Sequence, residues 1–238
     1  MSRMLFRDDA YLRRAMATVT GHTPEGGIVI DASVFYPTGG GQPGDSGRIE
    51  WEGGALEIAT TVKGQGDEIV LVPSQPLALP PVGTVVRQEI DWDRRHRHMR
   101  VHTALHLLSV VLPLPVTGGQ IGAEKGRLDF AMPDPPEDRQ AVEDALNKLI
   151  DWDLLVSESW ITDAELEANP GLVKTMSVQP PRGAGRVRLV SIGQGDDQID
   201  LQPCGGTHVA RTAEIGRVRL GKVENKGRQN RRVHIHLD

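Results

Sequence analysis

Residues 11–91 read as short strands punctuated by turns, and that pattern points the first part of this chain to β structure. Arg14–Thr20, Gly27–Asp31, Gly47–Trp51, Ala55–Val62, Glu68–Val72 and Thr84–Ile90 are alternating or β-branched runs. Gly26-Gly27, Gly53-Gly54, Gly64-Gln-Gly66 and the stretch from Pro73 to Pro81 separate them. Short strands at this spacing predict a small barrel or sandwich. The pattern stops at Asp91-Trp-Asp93, and the division expected there is a β-rich domain over 1–92 followed by a second domain over 93–238.

The second domain opens with a helix expected from Arg94 to Leu112, ended by Pro113. Val101, Leu105, Leu108 and Leu112 form its apolar stripe, so His102 and His106 are expected to flank the buried face and line a cleft. Four residues apart on one helix, the two imidazoles can reach a single ion. Alone the pair reads first as two surface or half-buried polar residues. Far downstream, Cys204-Gly-Gly-Thr-His208 adds a thiolate and a third imidazole, and the chain's only cysteine falls there. His, His, Cys and His are donors that suit zinc.

Beyond that helix the pattern predicts an α+β fold with a largely antiparallel sheet. A helix fits Pro136–Asp151, a strand Asp153–Ile161, and Thr162-Asp-Ala-Glu165 is a capping box for a short helix. Arg186–Ile192 and Gln198–Leu201 read as strands, and Val218–Val223 with Arg232–Leu237 as a closing hairpin. The stretch Gly118 to Pro136 carries no clear periodicity, although Gln120–Phe130 could line a ligand pocket.

The loop Phe35-Tyr-Pro-Thr-Gly-Gly-Gly-Gln-Pro-Gly-Asp-Ser-Gly47 holds five glycines and two prolines. It lacks the Gly-Lys-Ser/Thr of a phosphate loop and no helix pattern follows it. Its spacing reads first as a tight turn. The functional alternative is a loop that brings Thr38 and Gln42 to a ligand with backbone N–H groups exposed.

Several classes are disfavoured. Zinc proteases of this helix type need Glu directly after the first histidine, where this chain has Thr103. The His-x-Glu and Pro-Cys-x-x-Cys elements of zinc deaminases are missing, as is a Gly-x-Ser-x-Gly nucleophile. No apolar run reaches the length of a membrane span, no secretory signal is visible, and one cysteine allows no internal disulfide, so a cytoplasmic location is expected. A net charge of −5 speaks against a generic polyanion binder. Yet Arg94-Arg-His-Arg-His-Met-Arg100 is basic, and seven Lys/Arg face three Asp/Glu from Glu214 onward.

Taken together, Phe35–Gly47, Arg94–Leu108 and Asp200-Leu-Gln-Pro-Cys-Gly-Gly-Thr-His-Val209 resemble the editing domain of alanyl-tRNA synthetase and its freestanding form, the AlaX proteins. Ala213-Glu-Ile-Gly216 and the basic segment to Arg232 extend the likeness over nearly the whole chain. The length leaves no room for an adenylation domain, so charging of tRNA is not expected. The resemblance implies a trans-editing hydrolase that cleaves Ser-tRNA(Ala), and Gly-tRNA(Ala) with it, at the acceptor end of tRNA(Ala). It implies zinc on His102, His106, Cys204 and His208, in a zinc-binding editing domain behind the barrel-like one. It places Gly39, Gly40 and Gly41 against the aminoacyl end, Gln42 near the metal and Thr38 where it senses a serine hydroxyl. Arg94, Arg95, Arg97, Arg100, Lys222, Lys226 and Arg231 become candidates for the tRNA backbone. The alternatives are editing of Ser-tRNA(Thr), whose editing domain shares both ligand pairs, and a non-catalytic RNA-binding module with structural zinc.

Overall fold

The computed structural model describes residues 1–174 and 185–238. It divides into two compact units, Met1–His96 and Arg97–Asp238. Among the described residues no helix is long and apolar enough to cross a membrane.

The first unit is a closed six-stranded barrel. Its strands run Arg14–His22, Ile28–Ile30, Ile69–Pro73, Gly54–Lys63, Gly47–Trp51 and Val85–Ile90 around the circumference, and the last pairs back with the first. All six pairings are antiparallel. Closure leaves no open sheet edge, which is what allows strands this short to stand without a second layer. Alternate side chains fill the interior, with Val19, Ile28, Ile30, Phe35, Ile49, Ile58, Leu71 and Val86 essentially buried. Each expected strand is present within a few residues, and the barrel is the one of the two expected architectures that forms.

The second unit builds on the helix Trp92–Val111, whose first turn still belongs to the barrel unit. Asp91 caps that turn by accepting the Arg94 amide at 3.1 Å. A four-stranded antiparallel sheet runs in the order Val218–Asn225, Asn230–Leu237, Lys125–Ala131, Val116–Ile121. The helix lies close on it at Gly126, where a Cβ would stand 2.6 Å from Val101 Cγ1 and 3.0 Å from Leu105 Cδ1. A three-stranded sheet, Val156–Thr162, Arg186–Ile192 and Asp200–Pro203, contributes contacts to another side of the helix. The helix Arg139–Asp151 is tied to the larger sheet by Asn147, whose amide exchanges two hydrogen bonds with the Val218 backbone. Thr162 and Glu165 form the expected capping box of Asp163–Ala168.

Two expectations are corrected. The helix is not amphipathic over its middle: from His98 to Ser109 every residue but Arg100 is buried, because sheet residues close on more than one side of it. His102 and His106 are each only 7% exposed and stand in the interior, not at a cleft edge. The stretch without clear periodicity is a hairpin, Val116–Ile121 with Lys125–Ala131; Gly118 and Gly119 remove the side-chain signal that would have marked its first strand.

Candidate metal centre

Two donors come from the central helix and two from the turn that follows the strand Asp200–Pro203. The ligating atoms of His102, His106, Cys204 and His208 all lie within 4.8 Å of one another. Cys204 Sγ is 3.5 Å from His102 Nε2 and 3.3 Å from His208 Nε2. A tetrahedral ion with bonds of about 2.0–2.3 Å to nitrogen and sulfur needs donor separations near those. The donor set therefore fits a metal ion, and its chemistry is that of a borderline-soft divalent cation.

Each ring can serve only if its other nitrogen holds a proton away from the ion. For His106 the partner is Asp200, whose Oδ2 accepts from Nδ1 at 3.0 Å. Gln202 Nε2 donates to that same oxygen at 2.8 Å, and Lys174 Nζ reaches the other carboxylate oxygen at 2.5 Å. For His208 the partner is Thr103. Its hydroxyl donates to Met99 O at 3.0 Å, so at 3.2 Å it can only accept from His208 Nδ1–H. The residue that stands where a protease has its general base thus sets a tautomer instead.

The turn at 204–208 is held by Arg188, a buried residue of the strand Arg186–Ile192. Arg188 Nη1 donates to Cys204 O at 2.8 Å and Gly206 O at 2.9 Å, while Nε and Nη2 fork onto Glu158. Sequence does not single out Lys174 or Arg188; it marks Asp200 and Gln202 only as parts of a motif, and Thr103 only as the residue that disfavours a protease. Their roles depend on contacts that reach across 16 to 105 positions in the chain, which no local spacing encodes.

Electrostatics sharpen the picture. Burial opposes charge on His106, but hydrogen bonds to Asp200 and Cys204 prevail and raise it to about 9. Burial and the neighbouring His102 push His208 down to about 3. Burial works against the Cys204 thiolate, yet the imidazoles around it bring the thiol well below its usual range. Asp200, likewise buried, is held down to about 2 by His106 and Lys174. His208 and Cys204 are thus already in their ligating forms at neutral pH, and His106 must lose its Nε2 proton to bind. Because that pKa is raised, the proton stays on until the pH approaches 9. Metal affinity should therefore tighten by about tenfold per pH unit between roughly pH 6.5 and 9 and then level off. A competition titration across that range checks this; a flat profile would contradict it. The charged His106–Asp200 pair stabilises the metal-free protein fully below the ordinary value of 6.5, and that contribution is lost as pH rises through 9.

In the barrel unit, the glycine loop forms the tight turn that its spacing suggests. Gly39 and Gln42 exchange backbone hydrogen bonds of 3.1 and 2.9 Å around Gly40 and Gly41, whose φ values are +57° and +82°. Positive φ at both central positions is the two-residue hairpin geometry that glycine permits. Thr38 is exposed; its hydroxyl donates to Thr61 O at 3.2 Å and accepts the Gly44 amide at 2.9 Å. One lone pair remains, so toward a ligand Thr38 acts as an acceptor. Gln42 is buried, at 1% exposure.

The basic candidates separate into distinct groups. Arg95 is fully buried: it pairs with Asp45 and donates to the carbonyls of Ala10 and Val34. It is a scaffold residue of the barrel unit and is not offered to a phosphate, contrary to its reading as a tRNA contact. The run of basic residues suggested a surface, but the 3.6-residue turn carries Arg95 inward. Arg94, half-buried, donates to Gly44 O and Ser46 Oγ. In the second unit, Arg97 is exposed with Glu124 at 3.8 Å, and Arg100 Nε donates to Ile215 O. Lys222 pairs with Glu224, Lys226 is exposed, and Arg231 binds backbone carbonyls.

Comparison with known proteins agrees with this architecture. Residues 187–234 match the family model described as threonyl and alanyl tRNA synthetase second additional domain, and residues 10–94 match tRNA synthetases class II (A). The chain is 35% identical to the alanyl-tRNA editing protein AlaX-M of Methanosarcina acetivorans, covering 100% of this chain and 99% of that protein. Identity to the AlaX-M of Methanosarcina barkeri is 33%, again over 100% and 99%. The alanine–tRNA ligase of Pyrobaculum arsenaticum is 37% identical over 94% of this chain, which spans 25% of that larger protein. A metal-fit His, His, Cys, His cluster, a closed barrel and end-to-end similarity converge on one assignment: the chain belongs to the AlaX-M family of alanyl-tRNA editing proteins.

Proposed function

We propose that this protein is an aminoacyl-tRNA deacylase that hydrolyses the ester of mischarged tRNA(Ala), with Ser-tRNA(Ala) its main substrate and Gly-tRNA(Ala) a second. The observation that carries this reading is the convergence of four metal-ligating side chains in a chain that matches named alanyl-tRNA editing proteins along its length. Zinc is the ion the donors suit best, held by His102, His106, Cys204 and His208. When bound, zinc would polarise an ester carbonyl or acidify a water.

The chain's own residues do the rest. Asp200 and Thr103 keep the Nδ1 protons of His106 and His208, so both Nε2 atoms face the cluster. Arg188 fixes the turn that carries Cys204 and His208. In this reading residues 1–92 carry the glycine loop and residues 93–238 the metal. Gly39, Gly40 and Gly41 let the backbone approach the aminoacyl end, with Gln42 beside them in the same turn. Thr38 accepts a hydrogen bond from the serine hydroxyl. A site that hydrogen-bonds a hydroxyl rejects the analogue lacking it far better than an apolar pocket excludes a small side chain, which would spare Ala-tRNA(Ala). The same logic makes serine the better substrate than glycine.

A substrate panel tests this: Ser-, Gly- and Ala-tRNA(Ala) and Ser-tRNA(Thr), each assayed for release of the amino acid. The expected order is Ser-tRNA(Ala), then Gly-tRNA(Ala), with Ala-tRNA(Ala) intact. Release from Ser-tRNA(Thr) alone would move the assignment to the threonyl branch, which the family model matching residues 187–234 also covers. No release from any substrate would overturn the hydrolase reading.

A further inference from the structure

The hairpin that closes the second unit turns through Asn225-Lys226-Gly227-Arg228-Gln229-Asn230. Tips of this kind are often mobile and held by little beyond the strands beside them. This one is wired from within. Asn225 Oδ1 accepts the Gly227 amide at 3.0 Å, and Lys226 N–H donates to Asn230 O at 3.0 Å. Gly227 takes φ +132°, a conformation that side chains rarely adopt.

Arg231 holds the assembly together. Its Nη1 lies within hydrogen-bond reach of Asn225 Oδ1 at 3.1 Å, Gly227 O at 2.9 Å and Asn230 O at 3.0 Å, and Nη2 donates to Pro133 O. Met132 N–H donates to Gln229 O at 2.9 Å, which docks the tip on a second segment. The guanidinium is thus taken up by backbone and amide acceptors.

Most other cations of this basic segment are neutralised differently. Arg219 pairs with Asp238, Lys222 with Glu224, and Arg232 shares Asp129 with Arg127. Lys226 and Arg228 on the tip, like Arg217 at the opposite end of the hairpin, are exposed, and among the described residues none of the three side chains has an ion-pair or hydrogen-bond partner; the first two sit together on the wired tip. On a chain of net charge −5, two unneutralised cations on a fixed tip make a local attractive point for a polyanion. Arg228 offers a fork that matches phosphate oxygens and Lys226 a point charge. The tip has no aromatic residue, so it can grip a backbone but offers no face on which bases stack.

We propose that residues 225–230 form a preset contact for the phosphate backbone of the RNA substrate, made by Lys226 and Arg228, with Arg231 a positioning residue that holds the tip in shape. The proposal rests on the reading of tRNA as substrate. Of the basic residues considered from sequence, it moves Arg231 from contact to support and adds Arg228.

The test is equilibrium binding of uncharged tRNA(Ala) transcript by the metal-loaded full chain, repeated over a range of salt. Lys226→Ala with Arg228→Ala should weaken binding by about ten- to fiftyfold at 0.1 M salt and reduce the log–log salt slope by about 1.8, from roughly 0.9 per phosphate contact. Melting temperature and metal content should stay at wild-type values. Lys226→Glu with Arg228→Glu should weaken binding further. Arg231→Met should lower affinity while leaving the salt slope near that of wild type, because both cations remain but are no longer held. Unchanged affinity and slope in both Lys226/Arg228 double variants would overturn the proposal. A changed slope in Arg231→Met equal to that of the double alanine variant would overturn its positioning role. Wild-type binding that depends on the tip, without deacylation of any charged tRNA, would sink the proposed activity and leave this contact standing.

Discussion

Asp45→Ala is expected to destabilise the protein by about 3–5 kcal/mol, the range for removing one partner of a buried ion pair. Arg95 is fully buried, and Asp45 is its only carboxylate among the described residues. Asp45 Oδ2 also accepts the Tyr36 amide at 2.7 Å and Arg95 Nε at 2.8 Å, so one oxygen joins the glycine loop to the start of the helix Trp92–Val111. Alanine would leave a guanidinium out of water with only the carbonyls of Ala10 and Val34 to face. Asp45→Asn keeps an acceptor and should cost less. The double change Asp45→Ala with Arg95→Met should recover much of the loss, since no charge is left buried. Denaturant unfolding of the three variants measures this. A loss below about 1 kcal/mol for Asp45→Ala would contradict the assignment of Arg95 as a buried scaffold cation.

The second large effect is expected at the metal centre. Asp200→Asn should weaken metal binding by about 10–100-fold, the usual cost of losing a carboxylate behind a ligating histidine. The amide can still accept from His106 Nδ1, but the negative charge that supports both the ring and Lys174 is gone. Thr103→Val removes the acceptor that fixes the His208 tautomer and should fall in the same range. His106→Ala removes a donor outright and should weaken binding beyond either. Competition with a chromophoric chelator reads affinity directly, and the ligand-field spectrum of the cobalt-substituted protein reports whether the donor set has changed. Wild-type affinity in Asp200→Asn would show that the carboxylate supports the fold and not the ligand.

Much of this was legible in the chain. Arg14–His22, Gly54–Lys63 and Val85–Ile90 carry alternation that their burial broadly reproduces, while Ile28–Ile30 and the run Ile69, Val70 and Leu71 are buried at consecutive positions. Cys204 and His208 paired with His102 and His106 mark the cluster by ligand type and spacing. Other features were not legible, for definite reasons. Arg95 sits in a run that reads as a basic surface, and only the helix phase together with Asp45 turns it inward. The helix from His98 to Ser109 carries His, Thr and Ser, which made one face look wet; each of Thr103, His106 and Ser109 has a specific partner that permits burial. Gly118 and Gly119 hid a strand. Arg188 looked like one more strand residue, since nothing in its neighbours announces that it would hold a turn 16 to 18 positions away.

In the proposed function, the cluster of His102, His106, Cys204 and His208 is a zinc site for hydrolysis of Ser-tRNA(Ala). The most direct measurement is deacylation of Ser-tRNA(Ala) by metal-stripped protein titrated with zinc, with Ala-tRNA(Ala) alongside. Serine release should be lost on stripping and return in proportion to added zinc, saturating near about one ion per chain, while Ala-tRNA(Ala) stays intact. Full activity in the stripped protein, or no serine release at any zinc concentration, would contradict the account.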